Sequence, residues 1–215
     1  MKKNVIVCIC FLLGLSFSVH AQQLRFGVKG ALNISEIDDF NIMNVPEDDE
    51  GGDLGSKLGF YGGLAVQYLF DQNWGIESGF YYSQLGGEVE RGLNPKCKVT
   101  ANPSYLQLPI QAIYKFDVNN SGLKIYPAIG LYIGYGLNGK VKVKGETTGL
   151  FIPDSYDYFD EVKRFDLGVA LGLNFEYKDF VLGGAYDMGL TKVGKNSLND
   201  NARNSVMRVS LGYFF

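Results

Sequence analysis

The chain has 215 residues, a net charge of −3 and a single histidine, His20. An acidic chain without a basic stripe is not expected to bind nucleic acid. Its length allows one domain with a sizeable core.

The first residues have the pattern of a secretory signal peptide. Lys2 and Lys3 give a positive start, residues 5–15 are apolar, and Ala21 is a small residue at the cleavage position. We therefore predict that residues 1–21 are a cleaved signal peptide and that residues 22–215 form the mature domain. The alternative is an uncleaved anchor, which the shortness of the apolar run disfavours.

Cleavage after Ala21 would leave the mature protein without an imidazole group, because His20 is the only histidine. Ser-His-Asp and Cys-His catalysis and histidine-ligated metal sites all need that side chain. We therefore expect a protein that is not an enzyme and has no catalytic, cofactor or metal site. Of the cysteines only Cys97 would remain, and one cysteine cannot form an internal disulfide.

Large apolar residues alternate with small or polar residues throughout the mature chain. In the last segment Met207, Val209 and Leu211 share one face, while Arg208 and Ser210 share the other. A period of two is typical of β-strands. The same alternation predicts eight strands, at residues 24–34, 58–70, 74–82, 105–116, 124–135, 164–176, 180–190 and 206–215.

The connections between these strands alternate between short and long. The short connections lie around residues 71–73, 117–122 and 178–179, and the long ones are residues 35–56, 85–103, 139–161 and 192–202. Outer-membrane barrels show this asymmetry, with short periplasmic turns and long extracellular loops. The sequence therefore predicts an all-β fold, an eight-stranded antiparallel up-and-down transmembrane β-barrel.

Alternation alone leaves open which face points outward, since a soluble ligand-binding barrel would turn the large apolar face inward. An eight-stranded interior has room for few large side chains, however, and the opposite face is rich in Gly and Ala. Aromatic residues also cluster at the short-turn end, as in an interfacial girdle. We therefore expect the apolar face to contact outer-membrane lipid.

Two prolines fall inside predicted strands. Pro109 lies in the fourth strand and Pro127 in the fifth. Proline donates no ladder hydrogen bond, so it weakens a central strand. These positions predict bulges or bends, or strands shorter than drawn.

Three segments carry a resemblance to a known family. They are residues 29–35 (KGALNIS), 105–109 (YLQLP) and 208–215 (RVSLGYFF). With these segments the chain resembles the PorT-like family of small outer-membrane β-barrel proteins of Bacteroidetes. The resemblance implies a bacterial outer-membrane location and carries no shared set of catalytic residues. Tyr213 and Phe215 also resemble the C-terminal signal read by the barrel-assembly machinery, which is therefore an expected partner.

The inward face of the predicted barrel carries charges of both signs. They are Arg25, Lys29, Glu77, Lys115, Lys124, Arg164, Asp166, Glu176, Asp187 and Arg208. Buried charges need partners, so we expect a salt-bridged plug that fills the lumen. The alternative is a narrow channel for small solutes or ions, in which Glu77 and Asp187 would be gating carboxylates.

The long loops are the remaining candidates for function. The third loop combines aromatic and acidic residues, which is the composition of a binding patch for an extracellular protein or glycan. Its aromatic residues are Phe151, Tyr156, Tyr158 and Phe159. The same residues could instead fold back over the barrel mouth. Overall the sequence predicts a structural or surface-interaction barrel.

Overall fold

The computed structural model of the protein describes residues 24–38, 54–91, 97–119, 121–144, 155–192, 194 and 203–215. The predicted signal peptide and Phe151 lie outside these residues. Among the described residues, no helix is long and apolar enough to cross a membrane.

Eleven strands and one short helix make up the described structure. The strands are β1 (Leu24–Asp38), β2 (Leu54–Leu69), β3 (Trp74–Gln84), β4 (Gly87–Arg91), β5 (Cys97–Tyr114), β6 (Phe116–Val118), β7 (Leu123–Lys144), β8 (Ser155–Asp157), β9 (Phe165–Tyr177), β10 (Phe180–Gly189) and β11 (Arg203–Phe214). Helix α1 (Tyr158–Glu161) follows β8 directly.

Eight of these strands close into a barrel in the order β1-β2-β3-β5-β7-β9-β10-β11. Every neighbouring pair is antiparallel, and closure comes from β1, which pairs with both β2 and β11. Val28, for example, is in register with Leu64 on one side and Tyr213 on the other. The predicted eight-stranded antiparallel barrel is confirmed.

The large apolar side chains point away from the barrel. Leu64, Val209 and Phe26 are each more than half exposed, whereas Tyr126 and Val181 on the inward face are fully buried. This is the arrangement that alternation predicted for a lipid-facing surface. The soluble alternative, with the apolar face inside, is therefore wrong.

Two rows of outward aromatic residues mark the ends of the apolar surface. At the long-loop end the aromatic residues are Tyr82, Tyr135 and Phe165; Leu106 is the cross-strand partner of both tyrosines, and Tyr135 is that of Phe165. The short-turn end carries the girdle of Tyr68, Phe70, Trp74, Tyr114, Phe116, Phe175, Tyr177, Phe180, Tyr213 and Phe215. Residues 125–135 of β7 join the two ends. At about 3.3 Å per residue and a tilt of about 40° they span about 25 Å, the height of an outer-membrane apolar band.

Neither internal proline shortens its strand. Pro127 is in register with Leu173, and β5 continues through Pro109. The β3–β5 ladder omits the pairs of Leu108 and Pro109 but keeps the same register on both sides of the gap. Ser78 Oγ donates to the Pro109 carbonyl oxygen at 2.7 Å, which satisfies an acceptor in this interrupted stretch. The expected bulges at the prolines are therefore wrong; a register shift in β5 lies at Ser104/Tyr105 instead.

The long connections begin as continuations of the barrel strands. The prediction of a loop over residues 85–103 is wrong, because Gly87–Arg91 pairs with Cys97–Ala101. In the same way β7 extends to Lys144, where residue 139 had been the expected loop start. The predicted strand ends rest on the large apolar residues of the lipid-facing side, and these residues end at the edge of the membrane. Backbone pairing continues beyond that level because it does not depend on them.

Candidate functional site: the lumen and its cap

The lumen layer nearest the short turns is built on Glu176. One of its carboxylate oxygens accepts from Arg25 Nη1 at 2.5 Å and the other from Lys115 Nζ at 2.6 Å. Lys115 Nζ also donates to Gln67 Oε1 at 2.8 Å. All of these side chains come from inward positions near the ends of different strands. Both oxygens of this buried carboxylate therefore have a cationic partner.

A second carboxylate, Glu77, lies beside the first pair. It forms an ion pair with Lys29 and accepts from Gln67 Nε2 at 2.7 Å. Tyr126 OH donates to it at 3.4 Å. Gln67 and Glu77 are register partners on β2 and β3, which brings their side chains together. Since the Gln67 amide contacts both Lys115 and Glu77, it connects the two ion-pair groups into one network.

The middle of the lumen is filled by Asp187, Arg208 and a pair of tyrosines. Arg208 forms an ion pair with Asp187, and Gln107 Nε2 donates to the same carboxylate oxygen at 2.8 Å. The guanidinium carbon of Arg208 lies 3.9 Å from the centre of the Tyr61 ring, a cation–π distance. Tyr61 in turn stacks on Tyr81 with 4.5 Å between ring centres. Charge and aromatic surface together occupy this cross-section.

Nearer the long loops, the buried Asp166 carboxylate is held by neutral donors. Thr191 Oγ1 donates to it at 2.8 Å, Asn204 Nδ2 at 2.9 Å and Tyr132 OH at 3.2 Å. Among the described residues no cation lies within ion-pair distance of Asp166. Three hydrogen bonds to a charged acceptor provide the stabilisation that an ion pair provides elsewhere in the lumen.

Helix α1 caps the mouth of the barrel. Asp157 caps its N-terminus by accepting from Phe159 N at 2.9 Å. The Tyr158 and Phe159 side chains are only 1% and 3% exposed, and Phe159 packs edge-on against Tyr105 with 5.7 Å between ring centres. Burial raises the pKa of Tyr158 well above its ordinary value, so the phenol stays neutral.

Arg164 contacts both this cap and strand β7. Its guanidinium carbon lies 4.5 Å from the centre of the Phe159 ring, and its Nη1 donates to the carbonyl oxygens of Gly136 and Leu137 at 3.0 Å. Its Nη2 also lies 3.9 Å from an Asp157 carboxylate oxygen. The cap is thus tied to β7 as well as to the residues that precede α1.

The ten predicted lumen charges do not all meet. Eight lie in the layers described above, whereas Lys124 and Arg164 lie at opposite rims of the barrel. Lys124 is about a third exposed and faces Asp117 at 3.9 Å at the short-turn end. Strand alternation gives the face of a residue but not its height, so it could not separate rim from lumen. Gln67, Gln107 and Tyr61 also belong to these layers, but they carry no charge, so the pattern of inward charges does not indicate them.

The position of the cap corrects the prediction of a binding patch in the third loop. Tyr158 and Phe159 are buried inside the barrel mouth, so they are not an exposed binding surface. Tyr156 is half-buried and in register with Val141 on β7. Tyr158 and Phe159 fold over the barrel mouth, which is the alternative that the sequence left open.

The C-terminal aromatic residues lie on the outer surface at the short-turn end. Phe215 is 73% exposed, and its backbone N–H donates to the Phe26 carbonyl oxygen at 2.7 Å. Tyr213 packs against Phe180 and Phe215 with 5.1 and 5.5 Å between ring centres. Tyr213 and Phe215 are therefore accessible from the lipid side.

Two small cavities lie in the lumen between residues that the structure describes. A cavity of about 40 Å³ is lined by Lys29, Glu77 and Arg208 among others, and one of about 10 Å³ lies beside Asp166 and Asp187. A water molecule needs roughly 10–15 Å³ of such space. These cavities therefore hold only a few water molecules.

Closure, lipid-facing surface and aromatic girdles together define a bacterial outer-membrane β-barrel. Residues 20–194 match the family described as "Outer membrane protein beta-barrel domain", and the chain belongs to this family. A comparison with curated proteins gave no match.

Several solved structures of outer-membrane proteins are similar to this chain. OprG of Pseudomonas aeruginosa is 14% identical, with a TM-score of 0.50 over 90% of this chain and 96% of that chain. Ail, the attachment invasion locus protein of Yersinia pestis, is 16% identical, with a TM-score of 0.49 over 90% and 99%. Neisserial surface protein A is 16% identical, with a TM-score of 0.45 over 88% and 97%. At such identities the likeness concerns the fold alone.

Proposed function

We propose that this protein is a closed, non-enzymatic outer-membrane barrel that acts as a structural or surface-interaction protein through its long-loop end. The observation that supports the proposal is the set of paired side chains buried in the lumen. Paired side chains occupy it from Arg25 at the short-turn end to Phe159 at the cap. The cavities between them have room for only a few waters.

The energy of the buried ion pairs supports a closed state. Removing one partner of a buried pair costs about 3–5 kcal/mol, because the other charge is left without a counterion. A solute path would have to separate the Glu77, Glu176 and Asp187 pairs and also displace the cap. Thermal fluctuations would populate such a state rarely.

A narrow channel is the second candidate, since the lumen carries both signs of charge. Single-channel recordings in planar bilayers separate the two functions. We expect no steady conductance from the full-length protein. Regular openings would contradict the closed barrel, and a general porin recorded in the same bilayers shows that the recording detects an open lumen.

The absence of catalysis is part of the same proposal. His20 is the only histidine, and we propose that it leaves with a signal peptide formed by residues 1–21. The buried carboxylates Glu77, Glu176 and Asp187 are paired with cations and so hold the lumen together. We also propose membership of the PorT-like group of Bacteroidetes, supported by the segments at 29–35, 105–109 and 208–215, and recognition of Tyr213 and Phe215 by the barrel-assembly machinery.

An extracellular protein or glycan is the proposed partner of the long-loop end. Deleting all of residues 139–161 would also remove α1 and uncap the barrel. A sharper test deletes only residues 145–154 and measures binding of the protein to cells or matrix. Loss of binding with an intact barrel supports this segment as the contact, and unchanged binding excludes it.

A further inference from the structure

The outer wall of the barrel carries a polar groove of about 600 Å³ at its long-loop end. It lies between the loop-side ends of β3, β5, β7 and β8. Lys140 and Lys142 supply positive charge along one side. Asn102, Ser104 and Asn138 supply neutral hydrogen-bonding groups.

This groove begins where the lipid-facing surface ends. Tyr82 belongs to the outward aromatic row and also lines the groove, where its hydroxyl donates to Ser104 Oγ at 2.8 Å. Lys140 is in register with Asn102, four residues beyond Leu106 on β5. With the rise and tilt used above, that places it about 10 Å beyond the aromatic row. The long lysine side chain can reach back to the level of lipid headgroups.

The charge of the groove favours an anion. Lys140 and Lys142 are both exposed, and within the part of the chain that the structure describes no carboxylate lies within ion-pair distance of either. Asp157 also lines the groove, but Arg164 lies 3.9 Å from its carboxylate and offsets that charge.

We propose that this groove binds the phosphate-bearing headgroup of an outer-leaflet lipid. Lys140 and Lys142 would contact the phosphate, since lysine binds phosphate as a mobile point charge. The neutral groups of Asn102, Ser104 and Asn138 suit sugar or other polar headgroup atoms. A lipid is favoured over a soluble anion because the groove is continuous, through Tyr82, with the surface that contacts acyl chains.

The test uses the full-length protein in phosphatidylcholine nanodiscs that contain a lipid A with two phosphates. Native mass spectrometry measures how much lipid A stays bound as its fraction in the disc is varied. A lysine near an anionic lipid surface contributes about fivefold in affinity. We therefore expect the double variant Lys140→Gln/Lys142→Gln to bind about 25-fold more weakly than the wild type.

A matched control removes the same charge elsewhere at the same end of the barrel. Lys163 and Lys192 are both exposed, and the Lys163 ammonium contacts the Lys192 carbonyl oxygen away from the groove. Lys163→Gln/Lys192→Gln should retain wild-type binding, and heat-modifiable migration on gels shows that both variants are folded. An equal loss in this control would overturn the proposal. Equal binding of dephosphorylated lipid A, or binding of inorganic pyrophosphate without lipid A, would overturn it too.

Discussion

The ring of Phe159 occupies the space that a side chain at position 136 would need. A Cβ atom added to Gly136 would lie 2.2 Å from two atoms of that ring, closer than non-bonded atoms approach. The cap over the barrel mouth therefore depends on a glycine in the wall of β7. This glycine is required for a close approach of another side chain, and its backbone is ordinary strand.

The first prediction is that Gly136→Ala displaces the cap while the barrel stays folded. Chymotrypsin added to the folded protein should then cut at Tyr158 and Phe159, which the wild type buries. Peptide mass mapping identifies these cuts. Gly134→Ala is the matched control, because its Cβ would meet neighbouring atoms only at 3.4 Å or more. Equal resistance of Gly136→Ala and wild type would show that the cap does not depend on this contact.

The second prediction concerns the Glu176 carboxylate. Glu176→Gln leaves Arg25 and Lys115 without their shared counterion in the lumen, so the free energy of unfolding should fall by about 3–5 kcal/mol. Urea unfolding in lipid vesicles measures this change. Asp179→Asn removes a carboxylate 3.7 Å from the same arginine, but Asp179 is more than half exposed. That control should cost less than about 1 kcal/mol. Similar losses in the two variants would contradict a dominant role for the buried pair.

The barrel was predictable from sequence because its two faces meet different surroundings. Met207 and Val209 meet lipid while Arg208 meets the lumen, so alternation along a strand records the fold directly. The sequence did not show which charges form pairs, because pairing depends on the height of each residue in the barrel and on the register of several strands. Arg25 and Glu176 are far apart in sequence and meet only after closure.

The sequence left the cap as one of two alternatives for a different physical reason. Helix α1 has four residues, too few for a helical period to appear in the sequence. Its aromatic residues are equally compatible with an exposed patch and with burial. The deciding information lies in Gly136 and Gly139 on β7, whose missing side chains leave room for Phe159 and Tyr158. Nothing in the local sequence connects those glycines to the loop that follows.

The third prediction tests how the wall of the barrel tolerates Pro109. Ser78→Ala removes the hydroxyl that donates to the Pro109 carbonyl oxygen, in a lipid-facing stretch where water is scarce. An unsatisfied backbone acceptor should lower the free energy of unfolding by about 1–3 kcal/mol. Ser78→Thr keeps a hydroxyl on a residue suited to strands and should restore most of the loss. If alanine and threonine variants unfold alike, the hydrogen bond has no measurable part in stability.

The fourth prediction is a pH dependence at the turn between β2 and β3. The Asp71 carboxylate accepts from Trp74 N at 2.6 Å and from Asn73 N at 2.8 Å, and these two bonds hold its pKa below the ordinary value. A carboxyl whose pKa is lower in the folded state stabilises that state fully above the ordinary aspartate pKa. The stabilisation is lost as the pH falls through the lowered pKa. Wild type should therefore be more resistant to urea than Asp71→Asn at neutral pH, with a difference that shrinks on acidification. Asp117→Asn, which removes a carboxylate at the next short turn, serves as the comparison variant. If the stability difference between wild type and Asp71→Asn stays the same in acid, the Asp71 carboxylate is not the cause of that difference.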